Sequence, residues 1–323
     1  MGTCTQEDCM PGETGCMLGY SANSITKCKH FNKGAATKTA SSTIEKIAQL
    51  IPWAGVSLGQ RDISELAASR SLSLIGVIGV QNSGKTTLLT LLYCLIRQGK
   101  KIGDFSFSGS YTLPAWETLA YYMTWKPGND ISFPPHTPGT FGRIPGILHL
   151  SLKHKSGKLH DILITDAKGE WFKDWATSIE IATSQTPNWI HKFSNAFVLV
   201  ADCEELAGPN RGTARDDLKD LYNRLSNGLN ARALAIAWTK SDVSVRSAIK
   251  ENLNSHFEKD GIDAMNFDIS AFKNLSEDQN SDYWQTQVLD LVEFLILKTT
   301  TKLTHQPAIK PQKVKDLFLS IRG

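Results

Sequence analysis

The stretch GVQNSGKTT (79–87) fits the phosphate-binding pattern G-x-x-x-x-G-K-[ST] at every fixed position. The apolar run LSLIGVIG (72–79) before it is typical of a buried strand, and KTTLLTLLYCLIRQG (85–99) after it predicts a helix closed by Gly99. Backbone N–H groups of such a loop curl around phosphates at the positive end of the helix. A chance glycine-rich turn is the alternative, which the full pattern in this context disfavours. The residues predicted to hold phosphates are Gly79, Asn82, Ser83, Gly84, Lys85, Thr86 and Thr87.

A phosphate site of this kind also needs a metal ion and a carboxylate on the metal side. Lys85 is expected to reach the β and γ phosphates, and the Thr86 hydroxyl is expected to bind Mg²⁺. ILITDAKGE (162–170) places Asp166 at the end of an apolar strand, with Gly169 shortly after it. The alternative role for Asp166 is to cap the next helix. Because the phosphate loop lies upstream, we favour Asp166 on the Mg²⁺ side and the Gly169 N–H on the γ-phosphate.

The residues after a later strand predict which base is bound. ALAIAW (233–238) leads into Thr239, Lys240 and, two residues on, Asp242. A carboxylate there accepts hydrogen bonds from guanine N1–H and its exocyclic amine, whereas adenine presents the opposite pattern at N1. The Lys240 stem is expected to lie along the base plane, and a main-chain N–H of Ser270 or Ala271 is expected to back the base. These residues, in this order, predict guanine.

The alternation of strands and helices predicts an α/β fold, that of a P-loop NTPase G domain, with a mostly parallel six-stranded sheet covered on both faces. The second and third strands are joined by the basic turn KHKSGK (153–158) and are expected to form an antiparallel hairpin. The predicted strands are 72–79, 146–152, 160–166, 195–202, 232–239 and 265–270. Further helices are predicted at 171–182, 214–229, 245–259 and 283–300. The predicted divisions are a Cys-rich head (1–34), a helical lead-in (35–70), the G domain (71–300) and a basic tail (301–323).

Composition excludes some classes of protein. The 41% hydrophobic content suffices for a packed core, and 35 Lys and Arg against 32 Asp and Glu give no general bias toward nucleic acid. The sequence has no apolar run of the length that a membrane-spanning helix needs, and its start lacks the pattern of a secretory signal. A soluble, cytoplasmic protein is therefore expected.

The first 30 residues concentrate soft metal ligands in a segment with little apolar periodicity. Four thiolates satisfy tetrahedral Zn²⁺, which would supply folding free energy that this segment lacks. We favour structural zinc over a disordered tail or reactive thiols, although the spacing is not the paired C-x₂-C type. Cys94 and Cys203 lie in apolar surroundings and are expected in the core. The predicted zinc ligands are Cys4, Cys9 and Cys16, with Cys28 and His30 competing for the fourth position.

The ordered set GVQNSGKTT, DAKGE, TKSD and ISA resembles the G domain of translation-factor-like (TRAFAC) GTPases over roughly residues 70–300. The blocks FSGSYTLPAWE, FPPHTPGT, PGILHLSL, LITDAKGEWFKDWA and FVLVADCEELAGPNRG, with the Cys-rich head, are similar to the bacterial double-GTPase family. This resemblance implies a GTP/GDP-binding, GTP-hydrolysing switch in a multi-component system of regulatory or conflict function, with a protein partner or activator. It assigns phosphates and Mg²⁺ to Gly79, Lys85 and Thr86, the γ-phosphate switch to Asp166 and Gly169, and guanine to Lys240 and Asp242.

Two positions depart from the pattern of many GTPases. Thr239 stands where many carry Asn, and Glu170 stands where many carry a water-orienting Gln. A carboxylate near the γ-phosphate repels it, so slow intrinsic hydrolysis is expected unless an arginine compensates. That arginine would come from a partner, or from Arg143 or Arg211, for both of which a solvated loop position is the alternative and, for Arg211, the preferred one.

The segment between the first helix and Asp166 is expected to supply a threonine that closes over Mg²⁺. PPHTPGTFGR (134–143) offers Thr137, which we prefer, and Thr140; a proline-stiffened surface loop without ligands is the alternative. Upstream, the aromatic residues of SGSYTLPAWETLAYYMTW (108–125) are expected either in the core or in a partner-docking insertion.

Three functions remain open at this point. The first is a GTP-hydrolysing switch, and the second is a GTP-binding interaction module with little hydrolysis, which Glu170 favours. The third, an RNA- or ribosome-associated GTPase, is disfavoured because the basic run of the head lacks aromatic residues apart from Phe31. The basic tail carries an apolar stripe expected to dock on the G domain, with a partner or an anionic membrane surface as alternatives. The stripe consists of Val314, Leu317, Phe318 and Ile321.

Overall fold

The chain divides into two compact units, Met1–Pro52 and Trp53–Gly323. In the first unit, strand β1 (Thr3–Cys4) pairs antiparallel with strand β2 (Phe31–Asn32), so that Cys4 lies opposite Phe31. The computed structural model describes residues 3–4, 24, 27–32, 57–69, 71–123, 146–259, 261–271 and 281–303.

The second unit is built on a seven-stranded sheet in the order β4-β5-β6-β3-β7-β8-β9. Strands β6, β3, β7, β8 and β9 are parallel, whereas β5 runs antiparallel to both β6 and β4. The strands are β3 (Leu72–Ile78), β4 (Phe105–Gly109), β5 (Gly146–His154), β6 (Leu159–Asp166), β7 (Ala196–Asp202), β8 (Ala233–Thr239) and β9 (Ala264–Asp268).

Helices cover both faces of the sheet, because alternate residues of the central strands are apolar on either side. On one face, helices α2, α3 and α9 share a core cluster with Val77 and Val198. On the other face, helices α4 to α8 share a cluster with Ile78 and Leu199. Helix α1 adds Leu66 to a third, smaller cluster. The helices are α1 (Gln60–Ser69), α2 (Lys85–Arg97), α3 (Leu113–Met123), α4 (Gly169–Thr177), α5 (Gln185–Phe193), α6 (Cys203–Ala207), α7 (Arg211–Ser226), α8 (Ser247–Glu258) and α9 (Ser281–Leu303). None of these described helices is long and apolar enough to cross a membrane.

The structure confirms the mostly parallel α/β sheet and the antiparallel hairpin β5–β6, but it corrects the strand count from six to seven. The missed strand is β4, whose sequence FSFSG pairs only with β5 at the edge of the sheet. A short strand with serines and a glycine lacks the apolar run by which the central strands were predicted.

Helix α4 is shorter than predicted. It begins at Gly169 and ends at Thr177, because Ser178 is extended (φ −152°, ψ 138°). The Ser178 carbonyl accepts a hydrogen bond from Ser184 Oγ at 2.7 Å. Ile179 and Ile181, predicted on this helix, are therefore exposed after its end, at 51% and 40%.

The aromatic segment 108–125 contains helix α3, of which the structure describes the backbone to residue 123. Trp116 is fully buried and stacks on Tyr93 with ring centroids 5.4 Å apart, as the core alternative predicts. Tyr121, in contrast, is 60% exposed. Cys203 is buried in the core, as expected, whereas Cys94 is only partly buried and packs against the core from its edge.

The parallel strands decide where a site can form. The carboxyl ends of β3, β6, β7, β8 and β9 meet at one edge of the sheet. In open parallel sheets, ligands bind in the crevice beyond these ends.

Candidate functional site

The loop between β3 and α2 has the backbone of a phosphate-binding turn. Asn82 (φ 60°) and Gly84 (φ 87°) are both left-handed, which a glycine adopts without strain. Helix α2 begins directly after Gly84, which has no side chain to accept hydrogen bonds from the N–H groups of the first turn. A left-handed turn before a helix amino terminus forms a concavity of N–H groups that suits an anion.

Lys85 lies buried beneath this loop. Its Nζ donates to the Gly79 carbonyl at 3.0 Å and to the Val80 carbonyl at 2.7 Å. Burial lowers the pKa of Lys85 to about 8, although the carboxylates of Asp166 and Glu170 act in the opposite direction. The ammonium is therefore held in the loop by two carbonyls, both of which a phosphate oxygen can replace.

Thr86 and Asp166 form the other half of the phosphate side. Thr86 Oγ1 donates to Asp166 Oδ1 at 3.0 Å and lies 3.3 Å from Oδ2. A hydroxyl and a carboxylate are the hard oxygen donors that Mg²⁺ prefers. These residues therefore fit the metal that the motif implies.

Gly169 lies directly on the phosphate loop. A Cβ at this position would come within 2.2 Å of Gln81 N and 2.4 Å of Gln81 Cα, so only glycine fits. Helix α4, which begins here, is held further along by the ion pair Lys173–Asp217 at 2.9 Å. Its Trp175 Nε1 also donates to Asn188 Oδ1 at 2.6 Å.

Thr239, at the end of β8, connects the base side to the phosphate side. Its Oγ1 donates to the Ser83 carbonyl at 2.7 Å and lies 3.2 Å from the Ala201 carbonyl. Thr239 is buried and lies close to Gly84. A Cβ at position 84 would come within 3.3 Å of Thr239 Cβ.

The loops after β8 and β9 are joined to each other. Ser270 Oγ donates to Asp242 Oδ1 at 2.6 Å, and Ser241 N donates to the Ile269 carbonyl at 3.1 Å. The carboxylate of Asp242 is thereby oriented by a residue that the sequence had predicted only as a main-chain contact to the base.

Lys240 is held by two carboxylates. Its Nζ lies 2.8 Å from both Asp202 Oδ2 and Glu204 Oε2. Burial acts to lower the pKa of Lys240, but hydrogen bonds to these two carboxylates outweigh it and raise the pKa above its ordinary value.

One cleft of about 680 Å³ brings the two sides together, within the range that suits a nucleotide-sized ligand. Three predicted residues do not line the cleft but bond to residues that do. The Gly79 carbonyl accepts from Lys85, Asp166 accepts from Thr86, and Ser270 donates to Asp242. The predicted site residues that line the cleft are Asn82, Ser83, Gly84, Lys85, Thr86, Thr87, Gly169, Glu170, Thr239, Lys240, Asp242 and Ala271.

Comparison with known families now decides the assignment. The chain matches the family described as Double-GTPase 2 over residues 73–295. The chain belongs to this family. The match runs from β3 into α9 and includes every loop that lines the cleft. No curated protein matches the chain.

Not every predicted site residue falls within the part of the chain that the structure describes. Thr137, Thr140 and Arg143 lie outside the described residues, so the threonine expected over Mg²⁺ stays a prediction. Arg211 begins α7, is exposed and does not line the cleft.

The cysteine-rich head precedes the Double-GTPase 2 match. Cys4 lies on β1, and Cys28 and His30 are described close to β2, but Cys9 and Cys16 fall outside the described residues. Among the residues that the structure describes, no group of three or more His, Cys, Asp or Glu could hold a metal ion. Zinc in the head therefore stays a prediction.

Sequence reasoning missed Asp202 and Glu204, the two partners of Lys240. One signal was available: Asp202 ends a buried strand at the sheet edge where the Double-GTPase 2 motifs converge. A carboxylate at that edge can lie beside residues that follow the neighbouring strand.

Proposed function

We propose that this protein is a Mg²⁺-dependent molecular switch that binds and hydrolyses GTP. The observation that carries the proposal is the single cleft lined by both the phosphate loop and Asp242. A loop that suits phosphates and a carboxylate that suits guanine are joined through Thr239, so one nucleotide can occupy both. Membership of a double-GTPase family supports the same conclusion.

On the base side, Asp242 accepts hydrogen bonds from guanine N1–H and the exocyclic amine. Adenine presents an acceptor at N1, which a carboxylate repels. Ser270 keeps the Asp242 carboxylate in place, and Lys240 lays its aliphatic stem along the base while its ammonium stays with Asp202 and Glu204. Ala271 lines the cleft close by and offers its N–H to the base.

On the phosphate side, Lys85 exchanges its bonds to the Gly79 and Val80 carbonyls for phosphate oxygens. The Thr86 hydroxyl and the Asp166 carboxylate, which are hydrogen-bonded to each other, would hold the metal ion. A magnesium ion held there would supply positive charge to offset the charge that develops on the phosphates. The N–H groups at the start of α2 add further stabilisation of the anion.

Gly169 transmits the presence of the γ-phosphate to helix α4. In this proposal its N–H contacts that phosphate, and α4 begins at the same residue. Loss of the phosphate frees this contact and alters the surface that α4 presents to a protein partner. In our proposal this partner belongs to a bacterial multi-component regulatory or conflict system, acting in the cytoplasm.

A second candidate is a GTP-binding module with little hydrolysis. Glu170 favours it, because this carboxylate lines the cleft next to Gly169, where many GTPases carry a water-orienting amide. In that case GTP orders a docking surface and is not turned over without an activator.

The proposal is tested by measuring phosphate release from GTP in the presence of Mg²⁺, together with binding titrations of GTP, GDP and ATP. The variant Lys85→Ala should abolish turnover, whereas Lys100→Ala removes an exposed lysine outside the cleft and should leave it unchanged. Turnover that depends on Lys85 supports the switch. Tight GTP binding without turnover supports the second candidate, and a preference for ATP contradicts both.

A further inference from the structure

Asp202 ends strand β7 and is almost fully buried. Both of its carboxylate oxygens have partners on neighbouring elements. Oδ1 accepts from Glu204 N at 2.9 Å and from Glu205 N at 3.3 Å, and thereby caps helix α6. Oδ2 accepts from Lys240 Nζ at 2.8 Å.

Lys240 occupies an unusual backbone conformation. Its φ of 51° places a residue other than glycine in the left-handed region, which is disfavoured for side chains of this length. Such residues persist where the surrounding structure holds them and cluster at ligand sites. The contacts that hold the Lys240 side chain are its two ion pairs.

These two ion pairs are not equivalent. The Asp202 side chain is 4% exposed, and the Glu204 side chain is 65% exposed. An exposed ion pair is screened by water and contributes little, whereas a buried carboxylate already fixed by a helix cap holds its partner firmly. Asp202 is therefore the stronger of the two contacts.

Asp202 is not in direct contact with the nucleotide site. It does not line the nucleotide cleft, whereas Lys240 and Glu204 do. It lines instead a neighbouring cavity of about 380 Å³ beside α6 and α7. Asp202 can therefore influence the base through Lys240, with which it pairs, and through the helix cap that holds Glu204.

We propose that Asp202 is a positioning residue that holds Lys240 in the conformation needed to lie along the nucleotide base. This inference rests on the proposed function. A lysine whose ammonium is already fixed loses less rotamer freedom when the base binds, so the affinity for the nucleotide rises. The same carboxylate links the base-binding loop to the first turn of α6.

The variant Asp202→Asn tests the inference. Asparagine keeps the volume and, through its amide oxygen, the helix cap, but it replaces the oxygen that faces Lys240 with an uncharged amide nitrogen that cannot accept from the ammonium. We expect GDP to bind about tenfold more weakly, with the preference for GDP over xanthosine diphosphate retained, since Asp242 is untouched. Glu204→Gln should weaken binding by less than about threefold, as an exposed pair does. Asp216→Asn, on the exposed side of α7, should change nothing.

A double-mutant cycle with Lys240→Met separates positioning from a structural role. In the Lys240→Met background, Asp202→Asn should cause no further loss of GDP affinity. Unchanged or tighter GDP binding by Asp202→Asn, or an equal loss in both backgrounds, overturns the inference while leaving the proposed function intact. A wild-type protein that does not bind GDP overturns both. If Asp202→Asn does not fold, Asp202→Ser, which also caps a helix, takes its place under the same criteria.

Discussion

Thr239 Oγ1 donates a hydrogen bond to the main-chain carbonyl of Ser83, at 2.7 Å, across 156 residues of sequence. The hydroxyl thereby fixes the end of β8 to the phosphate loop. This finding gives a role to the threonine that stands where many GTPases carry asparagine. One buried side chain thereby links the base-binding loop to the phosphate loop.

Thr239→Val should disturb both stability and binding. Valine keeps the shape but leaves the buried Ser83 carbonyl without its donor, which should lower the free energy of unfolding by about 1–3 kcal/mol. GDP affinity should fall in parallel because the two loops lose their fixed spacing. Urea unfolding and GDP titration measure the two effects. Thr118→Val, on the exposed face of α3, is the matched control, and a Thr239→Val protein that behaves like it contradicts the role given to this hydroxyl.

GDP binding should be coupled to proton uptake by Lys85. The pKa of Lys85 in the free protein is about 8, and bound phosphates raise it again, so binding draws a proton wherever the free lysine is neutral. Uptake should be small near pH 7 and larger near pH 8.5, and GDP affinity should fall as pH rises through about 8.

Calorimetry in buffers of different ionisation enthalpy measures this uptake. Lys85→Arg is the control, because a guanidinium stays charged throughout this range and takes up no proton. Uptake in the wild type that does not change between the two pH values would show that Lys85 is not the titrating group.

Gly169→Ala should impair hydrolysis more than binding. The added Cβ meets the Gln81 backbone, so the start of α4 must move away from the phosphate loop. We expect turnover to fall at least about tenfold, with a smaller change in GDP affinity, because the phosphate that we assign to Gly169 is the γ-phosphate, which GDP lacks. Gly212→Ala is a matched control in α7, where a Cβ meets nothing within 4 Å. Equal turnover by the two variants argues against a Gly169 switch.

Glu170→Gln should raise the rate of GTP hydrolysis several-fold. The substitution removes a negative charge that lines the cleft next to Gly169 and provides an amide able to orient water. Single-turnover phosphate release measures the rate, with the exposed Glu180→Gln as control. A rate that falls in Glu170→Gln would make the carboxylate itself part of the hydrolytic machinery.

The central fold was predictable because its signals are local. Long apolar runs gave β3, β6, β7 and β8, and the turn 153–158 gave the β5–β6 hairpin. Strand β4 was not predicted because an edge strand buries little apolar surface and its short sequence carries two serines and a glycine. Helix α4 ends at Thr177, before the predicted residue 182, and the Ser178 carbonyl that follows it accepts from Ser184 Oγ, a contact that the apolar pattern does not encode.

The site was predictable where motif and chemistry coincide, and not where distant segments meet. The phosphate loop and the position of Asp242 follow from local pattern. The contacts Thr239–Ser83 and Lys240–Asp202 join segments 156 and 38 residues apart, and no local pattern encodes such pairings. They follow from the strand order, which brings the ends of β3, β7 and β8 to one edge.

The measurement that tests the central claim most directly is the base preference of the wild type and of Asp242→Asn. Titrations with GDP, ADP and xanthosine diphosphate compare the two proteins. The carboxylate should favour GDP, whereas an asparagine amide can donate to the C2 oxygen of xanthine, so the variant should prefer xanthosine diphosphate. A wild type that binds ADP as tightly as GDP, or a variant whose preference does not change, would contradict guanine recognition by Asp242.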